Sequence, residues 1–187
     1  MPPKVKTTKE DIVKAALEIV KNSGVEALNA RNIAIALNCS TQPIFSNFES
    51  MEDLKFAVAK NANELYKKYI KNEVSKGEYP EYKASGMAYI RFAKEQRELF
   101  KLLFMCDRQD RTIPKDTENF SDMANLLQNS VGLHKDSATL FHLEMWVYVH
   151  GIATMFATGF LDLEWELISK MMSDCYQGLK KQYGLEE

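Results

Sequence analysis

The sequence predicts an all-α protein with a small N-terminal domain of three helices and a larger C-terminal helical domain, about nine helices in all. Apolar residues recur at intervals of three and four through most of the 187 residues, and no stretch shows the alternation of a β-strand. Hydrophobic residues make up 45% of the chain, which is enough to bury a core in each domain.

The first helix is predicted from the capping residues at its two ends. Thr8 and Asp11 have the spacing of a capping box, and Gly24 is placed to end the helix near Ser23. Its buried stripe is expected to consist of Ile12, Ala15, Ala16, Ile19 and Val20.

Two short helices joined by a tight turn are predicted between Asn29 and Phe48. Asn29 suits the N-cap of the first helix, and Asn38, which tolerates left-handed backbone angles, can end it. Ser40 is expected to cap the second helix, so that Pro43 falls in the first turn, where its missing amide hydrogen costs nothing. The pattern is that of a helix-turn-helix.

The second of these helices has a composition that suits the major groove of DNA. Ile44, Phe45 and Phe48 would anchor it, and the polar positions that remain are uncharged. Gln and Asn can pair with adenine, and a Thr methyl can pack on a thymine methyl. We predict DNA contacts at Asn29, Arg31, Ser40, Thr41, Gln42, Phe45, Ser46 and Asn47. The alternative is that these are ordinary solvated residues, with Arg31 a plain surface charge instead of a phosphate contact.

The region from Thr8 to about Leu54 resembles the DNA-binding domain of TetR-type (tetracycline-repressor-like) transcriptional regulators. The matching pieces are DIVKAALEIV, Gly24, the helix-turn-helix, an aromatic-x-x-Phe and an acidic turn into a long helix. Four positions depart from the common pattern, and at the last three the usual residue contacts phosphate. They are Asn38 in place of Gly, Phe45 in place of Tyr, Asn47 in place of His and Met51 in place of Lys.

A second resemblance lies downstream. Trp146-x-x-x-His150-Gly151 is similar to the Trp-His-Gly signature of one subgroup of ligand-binding domains in this family. The expected domains are therefore residues 1–49, for DNA binding, and 50–187, for ligand binding and dimerisation, with a linking helix over 50–75. Ser50-x-x-Asp53 resembles a capping box at the start of that helix.

The larger domain is rich in aromatic residues and Met. Some of these would line an apolar cavity for a small hydrophobic effector, although at helical spacing each is more readily explained as core. The residues expected to line it are Tyr66, Tyr89, Phe92, Phe104, Met123, Trp146 and His150.

The last two helices are expected to form a homodimer, as the resemblance implies. Small residues between Gly151 and Thr158 would allow close helix approach, with packing inside one subunit as the alternative. The apolar stripe of the last helix is Leu167, Ile168, Met171, Met172, Cys175 and Leu179.

Composition argues against other classes of protein. The three scattered cysteines suggest neither disulfides nor zinc, and the amino terminus lacks a secretory signal, so we expect a cytoplasmic protein without a membrane span. Histidines at 134, 142 and 150 are spaced too widely to share an ion. No catalytic constellation, cofactor motif or metal site is visible, and we expect no enzyme.

Net charge is +3 through Lys76 (12 Lys and Arg, 9 Asp and Glu) and −5 beyond it (12 against 17).

Two functions remain open. The first is a homodimeric regulator, more readily a repressor, that a small hydrophobic effector releases from a palindromic double-stranded operator. The second is a helical ligand-binding or adaptor protein that has lost specific DNA binding, as the departures at Phe45, Asn47 and Met51 suggest.

Overall fold

The computed structural model describes residues 7–106 and 117–185, in which nine α-helices and one short 3₁₀-helix occur without a β-strand. The predicted all-α class is confirmed. The α-helices are α1 (Lys9–Ser23), α2 (Ala30–Ala36), α3 (Gln42–Asn47), α4 (Met51–Ser75), α5 (Glu81–Glu95), α6 (Arg97–Phe104), α7 (Thr117–Val131), α8 (Lys135–Thr158) and α9 (Trp165–Gln182). The 3₁₀-helix, which the sequence did not predict, is Val25–Ala27.

Two compact units divide the described chain. The first takes residues 7–65 together with 96–106, and the second takes residues 66–95 together with 117–185. The division falls inside α4, whereas the boundary expected from sequence, between residues 49 and 50, marks the end of a functional segment and stays a prediction. The helix expected over 50–75 is present as α4, which Ser50 caps by accepting from the Asp53 amide at 3.1 Å.

In the first unit, α1 is held at both ends as the sequence predicts. The Thr8 hydroxyl oxygen accepts from the Asp11 amide at 3.1 Å, and the Asp11 carboxylate accepts from the Thr8 amide at 3.0 Å. At the other end Gly24 adopts φ +79°, a conformation that a side chain would strain, and its amide donates to Val20. Helix α6 packs on α1, with Leu99 and Phe100 fully buried.

In the second unit, α5 and α7 both pack on α8, and α9 packs on α8 as well. Gly86 of α5 lies against side chains of α9 and α8, because a Cβ there would lie 2.5 Å from Cε of Met172 and 3.7 Å from Cγ2 of Val149. The fully buried aromatic residues of this unit are Phe92, Phe141 and Phe156.

Within the described residues, no helix combines the length and the apolar character that crossing a bilayer requires. The same residues contain no group of three or more His, Cys, Asp or Glu side chains that could hold a metal ion.

Candidate nucleic-acid interface and aromatic cluster

The helix-turn-helix forms as predicted, with one correction at its second cap. Asn29 caps α2 by accepting from the Asn32 amide at 2.9 Å, and Asn38 has the left-handed φ of 49°. Ser40, however, does not cap α3. The first helical hydrogen bonds run from the amides of Ile44 and Phe45 to the carbonyl oxygen of Thr41, which makes Thr41 the N-cap, although its hydroxyl makes no capping bond. The chain leaves the turn one residue later than the sequence suggested.

Helix α3 has one buried face and one exposed face. Ile44 and Phe48 are buried at 1% and 5% exposure and hold the helix against its own unit. The opposite face carries Thr41, Gln42, Phe45 and Ser46, all exposed. Positions three and four apart are neighbours on a helix, so Phe45 lies between Thr41 and Gln42 on one side and the end of the helix on the other. We call these four residues the reading face.

Two of the predicted polar contacts donate within the helix itself. The Ser46 hydroxyl donates to the Gln42 carbonyl at 2.9 Å, and the Asn47 side-chain amide donates to the Pro43 carbonyl at 2.7 Å. Asn47 is half-buried, and because its side-chain amide donates to Pro43, that amide points along the helix. Thr41 and Gln42, at the start of the helix, are exposed, and base contacts by these residues and by Asn47 stay predictions.

The remaining predicted DNA contacts lie around α2 and the turn. Asn29, Arg31 and Ser40 are all exposed. Asn29 uses both its side-chain groups locally, since its amide nitrogen also donates to the Ala27 carbonyl at 3.3 Å. Arg31 lies exposed in the first turn of α2, and its contact with phosphate stays a prediction.

Five of the seven residues predicted to bind an effector form one aromatic cluster in the second unit. Trp146 and His150 stack with ring centroids 4.9 Å apart and planes 16° from parallel. The Tyr89 hydroxyl lies 2.8 Å from Nδ1 of His150, and the Tyr89 ring meets that of Tyr66 edge-on at 5.8 Å. Phe92 completes the cluster, with its ring 5.4 Å from that of Tyr66.

Burial separates this cluster into two layers. Tyr66, Tyr89 and Phe92 are at most 5% exposed and act as core, whereas Trp146 and His150 are half-buried. The other two predicted residues lie elsewhere. Phe104 is in the first unit against Phe100, and Met123 is on α7, half-buried. Binding of an effector at any of these residues stays a prediction.

A second tyrosine–histidine pair links α5 to α8 and was missed from sequence. The Tyr82 hydroxyl lies 2.9 Å from Nδ1 of His142, which is buried at 6% exposure. Burial lowers the pKa of His142 to about 4, and burial also raises the pKa of Tyr82. The one sequence signal for the pair is that two intervals are similar, seven residues from Tyr82 to Tyr89 and eight from His142 to His150, each about two helical turns.

An ion pair fixes the C-terminal part of α4 to α5. Glu73 is 2% exposed and accepts from Arg91 Nε at 3.1 Å and from Lys76 Nζ at 2.7 Å. Burial raises the pKa of Glu73, but the hydrogen bonds from Lys76 and Arg91 outweigh it and hold that pKa below its ordinary value. The Arg91 guanidinium also lies over the Trp165 ring, 4.2 Å from its centroid.

An apolar stripe runs along the exposed side of α8. Its large members are Leu140, Leu143, Val147 and Met155, between 39% and 57% exposed, and Gly151 lies among them. Leu167 of α9, expected on the buried face of that helix, is instead 45% exposed, while Ile168 and Met172 are buried as predicted. The stripe is on the side of α8 opposite the buried residues that meet α5.

Comparison with known proteins gives two findings. Residues 82–172 match the family model described as "Tetracyclin repressor-like, C-terminal domain". The crystal structure of the multidrug binding protein EbrR complexed with imidazole has a similar fold, with a TM-score of 0.57 and 15% sequence identity over 89% of this chain and 93% of that one. No curated protein sequence matches the chain.

The class that the matched residues define is that of proteins with a tetracycline-repressor-like C-terminal domain. The predicted resemblance to TetR-type regulators is thus confirmed for the C-terminal domain, over residues 82–172. Trp146, His150 and Gly151 all lie inside the matched residues.

Proposed function

We propose that the protein is a homodimeric, DNA-binding transcriptional repressor that leaves a palindromic operator when a small hydrophobic effector binds. The observation that carries this proposal is the reading face, which is formed by exposed, uncharged residues on a helix whose other face is anchored by Ile44 and Phe48. A short helix of this kind fits the major groove, where Gln42 can make two hydrogen bonds to adenine.

The apolar stripe of α8 supports the dimer. Large exposed apolar groups in a line are unfavourable in water, and a second copy of the same stripe would cover them about a two-fold axis. Gly151 within the stripe would let the two α8 helices approach closely. A two-fold dimer presents two reading faces, as two half-sites one helical turn apart require.

The half-buried stack of Trp146 on His150 supports the effector site. It presents a flat aromatic surface beside the buried rings of Tyr66 and Tyr89, a setting that suits an apolar or aromatic molecule. The structurally similar EbrR is described as a multidrug binding protein, which is consistent with such a ligand. Release requires only that the effector bind the two states with different affinity, typically by about 1–3 kcal/mol.

The experiment is a gel-shift titration of the protein against its own promoter region, at moderate salt and with unrelated DNA as competitor. We expect a sequence-specific shift for the wild type and its loss for Gln42→Ala, with unchanged helix content and thermal midpoint because Gln42 is exposed. A shift that Gln42→Ala leaves intact, or no specific shift at all, would favour the alternative of an adaptor or ligand-binding protein without DNA reading.

A further inference from the structure

The centre of the reading face is apolar. Phe45 is 56% exposed, although the same short helix buries Ile44 and Phe48 at 1% and 5%. Phe45 comes one turn after Thr41 and Gln42, so that both are its neighbours on the helix surface. An aromatic ring at this position gains nothing from water and would be stabilised by an apolar surface that covers it.

The chemistry of the ring limits what that surface can be. Phenylalanine has no hydroxyl, so it cannot donate to a phosphate oxygen. Among the groups that base pairs present in the major groove, hydrogen-bond donors and acceptors predominate, and the apolar one is the C5-methyl of thymine. The neighbouring side chain of Thr41 adds a methyl group of its own, whereas Ser46 beyond it donates to the Gln42 carbonyl.

We propose that Phe45, with the methyl group of Thr41 beside it, packs on the C5-methyl of a particular thymine in each half-site and thereby sets the operator sequence. The proposal rests on the proposed DNA-binding function and adds one element of its specificity. A thymine would thus be required at one position for a reason that involves no hydrogen bond.

The test replaces thymine by uracil, one symmetry-related pair of positions at a time, in the operator fragment that the protein shifts. Uracil keeps the Watson–Crick pairing and the O4 acceptor but lacks the methyl. We expect one pair of positions at which the substitution weakens binding by about three- to tenfold per half-site, and little change at the others. At that position, 5-methylcytosine opposite guanine should bind better than cytosine.

Protein variants test whether the weaker binding of the uracil operator is due to Phe45. Phe45→Ala should lose most of the difference between the thymine and uracil operators, the rest being due to the Thr41 methyl, and Phe45→Leu, which keeps an apolar side chain and operator binding, should retain more of it. Phe56→Ala is the matched control, because Phe56 is also an exposed aromatic residue of the first unit, at 44%, but lies on α4. It should respond to uracil as the wild type does.

The outcomes distinguish failure of the thymine contact from failure of the proposed DNA-binding function. A wild-type protein that shifts its operator specifically, but tolerates uracil at every position, overturns the thymine contact and leaves DNA reading in place. A uracil penalty that persists unchanged in Phe45→Ala, or in Phe45→Leu if the alanine variant no longer binds, assigns the methyl to another residue and also overturns it. Failure of any specific shift refutes the proposed function, and the inference with it.

Discussion

The hydroxyl of Tyr82 lies 2.9 Å from Nδ1 of His142, and two helical turns further along the same two helices Tyr89 repeats the arrangement with His150 at 2.8 Å. The pairs tie α5 to α8 at two levels. They differ in burial, since His142 is 6% exposed and His150 is half-buried. The inner pair is therefore a stability element, and the outer pair belongs to the surface on which an effector is proposed to bind.

The inner pair predicts a pH dependence of stability. Burial lowers the pKa of His142 to about 4, whereas the ordinary value is 6.5. Between these values the unfolded chain binds a proton that the folded chain does not, so the free energy of unfolding falls as pH decreases from 6.5 to 4, by up to about 3 kcal/mol. Urea titrations at half-unit pH intervals measure this slope.

The matched comparison is the double variant Tyr82→Phe/His142→Phe, which removes the titrating group without leaving a buried hydroxyl unpaired. Carboxylates titrate in the same range in both proteins, so the difference between the two curves isolates His142. Curves that run parallel from pH 6.5 to 4 would contradict the assignment.

The Glu73–Arg91 pair predicts that removing one partner destabilises the fold more than removing both. Arg91→Met leaves the carboxylate of Glu73, which is 2% exposed, with Lys76 as its remaining cation, and we expect a loss of about 1–3 kcal/mol in the free energy of unfolding. Arg91→Met/Glu73→Leu should recover at least half of that loss, because the buried charge is gone as well. Lys170→Met is the control, since its pair with Asp174 is exposed and should contribute less than about 1 kcal/mol. A double variant no more stable than Arg91→Met would contradict this account.

The close contact at Gly86 limits the size of the side chain that this position can hold. In Gly86→Ala the new methyl meets the flexible end of Met172, which can move, and helix propensity favours Ala, so the change in free energy of unfolding should stay within about 1 kcal/mol. Gly86→Val adds branches that also meet Val149 and should cost about 1–3 kcal/mol. Thermal unfolding compares the two, and recovery of the Val variant by Met172→Ala would confirm the contact.

The exposed apolar stripe of α8 predicts how the proposed dimer responds when a charge is placed in it. Val147→Arg places a charge at its centre, where Val147 is 57% exposed, and should convert the proposed dimer to a monomer in multi-angle light scattering while the helix content is retained. Ile35→Arg, at a position 68% exposed in the first unit, should leave the oligomeric state unchanged. A Val147→Arg protein that stays dimeric would place the interface on another surface.

Features set by residues close in sequence were the ones that could be predicted. The capping box at Thr8, the side-chain cap at Ser50 and the left-handed Asn38 need only three or four neighbours. The Tyr82–His142 contact joins residues 60 apart, and no local signal specifies it. Leu167 was assigned to the wrong face because its apolar character satisfies a buried stripe and an exposed one equally well.

The assembly of the first unit from two separate stretches of chain has a practical consequence for protein engineering. Residues 96–106 return to pack beside α1, and their buried side chains Leu99 and Phe100 supply part of its core. A fragment cut after residue 49 or 65 would carry α3 but expose the apolar surface that α6 covers. The proposed reading face therefore cannot be moved to another protein as one contiguous segment, and chimaeras should exchange its side chains instead.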